Sequence, residues 1–270
     1  MLSAARLQAR LLLRDSRWGR PRNLLDLPRL MAQVEEKGSS YRGADPFPHI
    51  VLDEFLPHAT LEAVIAEIPR WSDRSQWLCF DAELPDGRAA QHNKLHLSDE
   101  RRLGRTTCAL LRELRSAAFL QILEKLTGID ALIPDAHNLG GGLHVCFPGS
   151  ILRIHADFNR HPLWGLDRRL NLLLYLNERW EEDWGGALEL WPADMSECRR
   201  RILPIANRCV VFNTSRDSFH GHPQAVTCPP AEARKSLALY YYTNGRPTRE
   251  AGPDHSTLWQ DLPEERGGVE

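Results

Sequence analysis

Nowhere in these 270 residues does an apolar run approach the roughly 20 needed to cross a bilayer, so no membrane-spanning helix is expected. Cysteine is sparse: six, at 79, 108, 146, 198, 209 and 228, with no Cys-x-x-Cys pair. A disulfide scaffold needs denser cysteine in a shorter chain, and a thiolate zinc site needs close pairs. What is left is a set of free, mostly buried thiols in a reducing cytoplasm. Charge bias is missing too. Lys and Arg total 34 against 36 Asp and Glu, a net charge of −2. Nothing there drives attraction to nucleic acid or to an anionic membrane. There is no internal repeat and no low-complexity segment. The composition, 42% hydrophobic and 26% charged, is that of an ordinary globular chain, long enough for one large domain or two small ones.

The first 45 residues differ in character. Arg6, Arg10 and Arg14, four apart, would line one helical face with Leu7 and Leu11 beside them. Leu11–Leu13 is too short for a secretory signal core. The segment reads as a basic helical or extended piece, packed on the surface or resembling an organelle transit peptide. A single domain is expected over residues 46–270.

Pro46 to Pro57 frames a short strand at Ile50-Val51-Leu52. Leu61, Val64, Ile65 and Ile68 then follow helical spacing, which Pro69 ends. Residues 70 to 98 read as irregular strand and loop, a lid or a plain surface excursion. Leu103, Leu110, Leu111 and Leu114 mark another helix. Ser116 is placed to cap the next, which carries Phe119, Ile122, Leu123 and Leu126 and stops at Gly128. After Gly140 the texture turns to short β candidates at about 143–147, 151–156, 169–177, 186–191, 209–213, 218–222 and 234–243. The expected fold is α+β: a double-stranded β-helix (jelly roll) buttressed by N-terminal helices over 59–128.

Within that region His155-Ala156-Asp157 answers His220 across an intervening 62 residues. Residues two apart on a strand share a face, so His155 and Asp157 can reach one ion. Two imidazoles and a carboxylate hold one face of a non-haem Fe(II) ion and leave the opposite face open. A bare His-x-Asp is as readily a surface turn, so the surroundings decide.

Those surroundings resemble the prolyl-4-hydroxylase-like branch of the Fe(II)/2-oxoglutarate-dependent dioxygenases. The resemblance runs through Cys146-Phe147-Pro148-Gly149, Leu152 to Asp157, Arg168 to Asn177, Trp184 to Leu190, Asn207 to Phe212, His220-Gly221-His222-Pro223 and Arg234 to Tyr242. It implies Fe(II) on His155, Asp157 and His220, with 2-oxoglutarate and O2 as cosubstrates and Arg234 on the distal carboxylate. Lys235 is the rival to Arg234, and His222 to His220. Tyr175, Asn171 and Leu188 would contact the cosubstrate. Phe147 stands where relatives often carry a cosubstrate-binding tyrosine, a loss for which Asn171 would compensate. Arg153, which has the parity of His155, either faces the cavity and holds a substrate carboxylate or phosphate, or makes an outer salt bridge; Asn159, Trp164 and Tyr240 are the other expected substrate contacts. The implied reaction is hydroxylation of a small-molecule or peptide substrate, such as a prolyl or other amino-acid group, with release of succinate and CO2. Two other readings are a cupin-like non-oxidative metal enzyme and a non-catalytic jelly-roll binding module. The complete ligand set with its basic residue favours the hydroxylase.

Overall fold

The computed structural model describes residues 23–265. Arg6, Arg10 and Arg14 therefore lie outside the described residues. Among the described residues four α-helices and thirteen strands follow one another. Helix α1 (Leu27–Arg42) begins at Asp26, whose carboxylate accepts from the Arg29 amide, and buries Leu30, Val34 and Tyr41. It packs on the main core, so this part of the N-terminal segment is joined to the rest of the fold.

Helix α2 (His58–Ala66) stops just short of Ile68. The Glu67 carboxylate that follows accepts hydrogen bonds from the Thr106 and Thr107 amides. It thereby caps α3 (Arg105–Leu114), whose own N-cap is a glycine with no side chain to offer. In α4 (Ala117–Thr127) the Ser116 hydroxyl accepts from the Phe119 amide, and Gly128 closes the helix at φ 73°, where a Cβ would be strained. These helices cover one face of the sheet through Leu110, Leu111, Leu114, Phe119 and Leu126, all nearly fully buried. Each such side chain contributes about 1.5–3 kcal/mol.

The sheet is antiparallel throughout its named pairings. It contains β1 (His49–Leu52), β2 (Leu78–Cys79), β3 (Ala82–Glu83), β4 (Ala89–Leu97), β5 (Ile133–Pro134), β6 (Gly142–Ala156), β7 (Asp167–Tyr175), β8 (Leu188–Trp191), β9 (Arg200–Ile202), β10 (Cys209–Asn213), β11 (Phe219–His222), β12 (Arg234–Thr243) and β13 (Leu258–Trp259). The main path is β1-β10-β7-β12-β6-β11-β8-β9, with β4 and β13 on β6. The sheet curls into the half-barrel of a double-stranded β-helix, the architecture read from the sequence. Leu170, Leu172 and Leu174 on one face of β7 and Asn171 and Tyr175 on the other are buried, as a strand covered on both faces requires.

Two features depart from the sequence reading. The two candidate strands at 143–147 and 151–156 are one strand, β6, running through Pro148 and Gly149. The stretch expected to be irregular contains β4, a full nine-residue partner of β6. Both strands are bulged. On β6, His155 pairs with His220 and Leu152 with His222, so three steps on one strand match two on the other. On β4 the register shifts between His92 and Lys94, and Asn93 takes φ 55°. A bulge re-aims every side chain beyond it.

Candidate active site

The inner surface of the curled sheet encloses a cavity of about 460 Å³. His155 on β6 and His220 on β11 sit directly opposite each other, with ring centroids 4.5 Å apart. Asp157 follows the end of β6. Its Oδ1 lies 3.6 Å from His155 Nε2 and its Oδ2 3.5 Å from His220 Nε2. The three donor atoms fall within 4.8 Å of one another.

Each imidazole is oriented from behind. His155 Nδ1 is 2.8 Å from the Arg153 carbonyl oxygen, and His220 Nδ1 is 3.0 Å from that of Ser218. A carbonyl only accepts, so each Nδ1 carries a proton and each ring turns its Nε2 to the common centre. Burial, then the neighbouring His155, pulls the His220 pKa down to about 4, so this ring is neutral near pH 7. Burial works against the Asp157 carboxylate. The Arg168 guanidinium, with His220 and His155, outweighs it and holds the pKa well below the usual range. Two imidazoles and an ionised carboxylate fit a divalent, oxygen- and nitrogen-seeking metal with open positions, Fe(II) above all.

Arg234 lines the same cavity, its Nε donating to the Gly186 carbonyl at 2.6 Å and its NH2 group to the Tyr175 hydroxyl at 3.2 Å. Lys235 lies on the opposite face of β12, its ammonium 5.7 Å from the centre of the Trp71 ring. Leu188 and Asn171 are on the cavity wall, while Tyr175 is fully buried behind Arg234. His222 also lines the cavity, outside the three-residue cluster.

Residues 141–242 match the sequence profile of the 2OG-Fe(II) oxygenase superfamily. Over that segment the chain is similar to this superfamily. Fe(II) and 2-oxoglutarate are the cofactors named for that superfamily, and the His155, Asp157 and His220 cluster is the set of side chains here that could hold the metal. Nothing among curated protein sequences matches. Solved structures show the same fold. A Trichoplax adhaerens prolyl hydroxylase, in complex with a hypoxia inducible factor peptide fragment, shares 17% identity over 90% of this chain and 94% of its own, with a TM-score of 0.54. A Pseudomonas putida prolyl-4-hydroxylase shares 20% over 79% and 99%, with a TM-score of 0.52. The carbocyclase SnoK from nogalamycin biosynthesis shares 12% over 77% and 83%, also with a TM-score of 0.52.

The structure redirects several residues that strand alternation had aimed at the cavity. Arg153 does not face it. The β6 bulge lets Leu152 and His155 share the cavity face, which turns Arg153 outward. There it makes two hydrogen bonds of 2.6 and 2.7 Å to Glu265. Asn159 leaves the site as well, donating to the Pro253 carbonyl and accepting from the His255 amide. Trp164 stacks on His161 outside the cavity. Tyr240 does line it. Phe147 faces away, under the Arg74 guanidinium. Asn171 is not free to replace a missing tyrosine: its amide donates to Asp157 Oδ2 at 2.8 Å and its oxygen accepts from Arg168.

Three residues of the site escaped the sequence reading. Arg168 is 1% exposed, pairs with Asp157 Oδ2 at 3.0 Å, and lies between the rings of Tyr240 and Phe158. Lys94 enters from β4. Trp259, on the C-terminal β13, packs its ring 5.0 Å from that of His155. Alternation of Arg168 with Arg169 was the only available signal, and it did not say which arginine points inward.

Proposed function

We propose that the chain hydroxylates an unactivated C–H bond of a small-molecule or peptide substrate, converting 2-oxoglutarate to succinate and CO2. The observation that carries this reading is the convergence of His155, Asp157 and His220 within 4.8 Å on a cavity that also holds Arg234. When bound, Fe(II) with 2-oxoglutarate supplies the oxidising power, and the protein supplies position and a dry wall.

In this reading His155, Asp157 and His220 occupy one face of the metal. A carboxylate ligand leaves fewer open positions than the small residue of halogenating enzymes, which favours hydroxyl transfer. Arg234 takes the distal carboxylate of 2-oxoglutarate. Its planar guanidinium can make two parallel hydrogen bonds to that group, and Gly186 with the Tyr175 hydroxyl holds it in place. Leu188 packs on the cosubstrate's carbon chain, and Tyr240 borders the substrate. Solved relatives that act on prolyl groups and on a natural product make an amino-acid, peptide or biosynthetic-intermediate substrate the class to test. Six free cysteines support a reducing, cytoplasmic setting.

Mixing the protein with Fe(II) and 2-oxoglutarate without O2 tests the assignment. A visible charge-transfer band is expected, and His155→Ala should lack it. A wild-type protein that gives no band would overturn the reading.

A further inference from the structure

The register shift between β4 and β6 places a third cation in the cavity, beside Arg168 and Arg234. On a regular strand Gln91 and Lys94, three apart, would face opposite ways. With the shift at Asn93 both line the cavity, as does His96. Lys94 pairs in register with Cys146 of β6, and Cys146 with Arg234 of β12. Lys94, Cys146 and Arg234 thus form one row across three strands, all on the cavity face.

The two cations of this row are held very differently. Arg234 is pinned to the Gly186 carbonyl and the Tyr175 hydroxyl. Lys94 has a single weak contact, 3.5 Å to Gln91 Oε1, and forms no ion pair among the described residues. Asp81, also on the cavity wall, is turned to the Asn93 amide and to His92. Asp157 is taken by Arg168, Asn171 and the histidines. A half-buried ammonium without a counter-ion is costly, and burial pulls the Lys94 pKa down. His222, on the same wall and 3% exposed, likewise has an Nδ1 with no partner.

Resting on the oxygenase reading of the site, we propose that Lys94 anchors a carboxylate of the substrate, so that the molecule oxidised is a small carboxylate-bearing compound such as a free amino acid. The Cα positions of Lys94 and Arg234 are two strand spacings, about 10 Å, apart. One cation therefore serves each of two acids: Arg234 the cosubstrate, Lys94 the substrate. An internal residue of a peptide has no free carboxylate at that point and would leave Lys94 unpaired.

The test uses the full chain and a matched pair of probes, butyrate and butyramide. Both are titrated by saturation-transfer NMR against protein loaded with Zn(II) and saturating 2-oxoglutarate, and again without metal. Butyrate should bind about 10- to 100-fold more tightly than butyramide, the range of a charge-assisted hydrogen bond. That preference should vanish in Lys94→Met and persist in Lys94→Arg, while 2-oxoglutarate affinity, read from the anaerobic Fe(II) band, stays unchanged in both. Equal binding of the probes, no binding of butyrate, or a preference that survives Lys94→Met would overturn the proposal. So would a loss of 2-oxoglutarate affinity in Lys94→Met as large as in Arg234→Ala, since Lys94 would then serve the cosubstrate. Failure of the wild-type band would instead remove the oxygenase reading, leaving the metal-free titration to decide on Lys94 by itself.

Discussion

Replacing Arg168 by methionine removes the one arginine that neutralises Asp157. The native guanidinium is 3.0 Å from Asp157 Oδ2, donates to the Asn171 oxygen at 2.8 Å, and is covered by Tyr240 at 3.5 Å from the ring centre. Removing one partner of a buried ion pair costs about 3–5 kcal/mol, because the other charge stays behind. Asp157 borders a cavity and its side chain is 14% exposed, so the lower end, about 3 kcal/mol, applies. At about 2–4 °C per kcal/mol for a chain approaching this size, the metal-free protein should melt roughly 6–12 °C lower. A divalent cation restores positive charge beside the same carboxylate. Mn(II), which does not turn over, should therefore raise the melting temperature more in Arg168→Met than in wild type. Differential scanning calorimetry with and without Mn(II) reads both effects. A metal-free variant that melts with wild type, or an Mn(II) increment no larger than the wild-type one, would refute the electrostatic account of Arg168.

Further outcomes follow from the same geometry. Arg234→Ala should raise the 2-oxoglutarate requirement at least tenfold, the loss of a charge-assisted pair, while Lys235→Ala leaves it near wild type; succinate release against 2-oxoglutarate concentration checks the order. A Cβ on Gly221 would sit 2.6 Å from the Arg153 carbonyl oxygen and 2.7 Å from that of Leu152, so Gly221→Ala must push β11 off β6 at the bulge. It should weaken Mn(II) binding as well as stability by about 1–3 kcal/mol, seen by calorimetry. Burial lowers the pKa values of His96 and His144, whose rings lie 5.1 Å apart. The unfolded chain then takes up protons first as pH falls through about 6.5, so metal-free stability should decline from pH 7 to pH 5, and His96→Gln with His144→Gln should flatten that slope. Denaturant melts at stepped pH measure it.

How much was legible in the sequence depended on whether regular alternation held. The apolar stretch Leu172 to Leu176 announced a buried strand at β7, and Ser116 with Gly128 marked both ends of a helix. His155, Asp157 and His220 were legible because the first two lie beyond the bulge, where ordinary parity operates. Arg153 was left open between the cavity and an outer salt bridge, and parity could not decide it because it lies where β6 changes step. β4 hid because Lys94 and Gln91, three apart, do not look like one face of a strand. Arg168 and Trp259 depend on tertiary approach, of Phe158 and Tyr240 to the one and of the C-terminal tail to the other, and no local pattern encodes that.

The irregularity in β6 acts as a phase slip in an otherwise two-beat ribbon. Upstream of it the even-numbered side chains His144, Cys146 and Leu152 look inward; downstream the odd-numbered His155 does. Deleting a single residue between Ile151 and Ile154 would restore a uniform beat and send either the anchoring row or the metal ligand to the outside. The one extra residue is what allows a continuous ribbon to carry both the Lys94–Cys146–Arg234 row and His155 on one wall, and its length is as much a part of the site as any side chain.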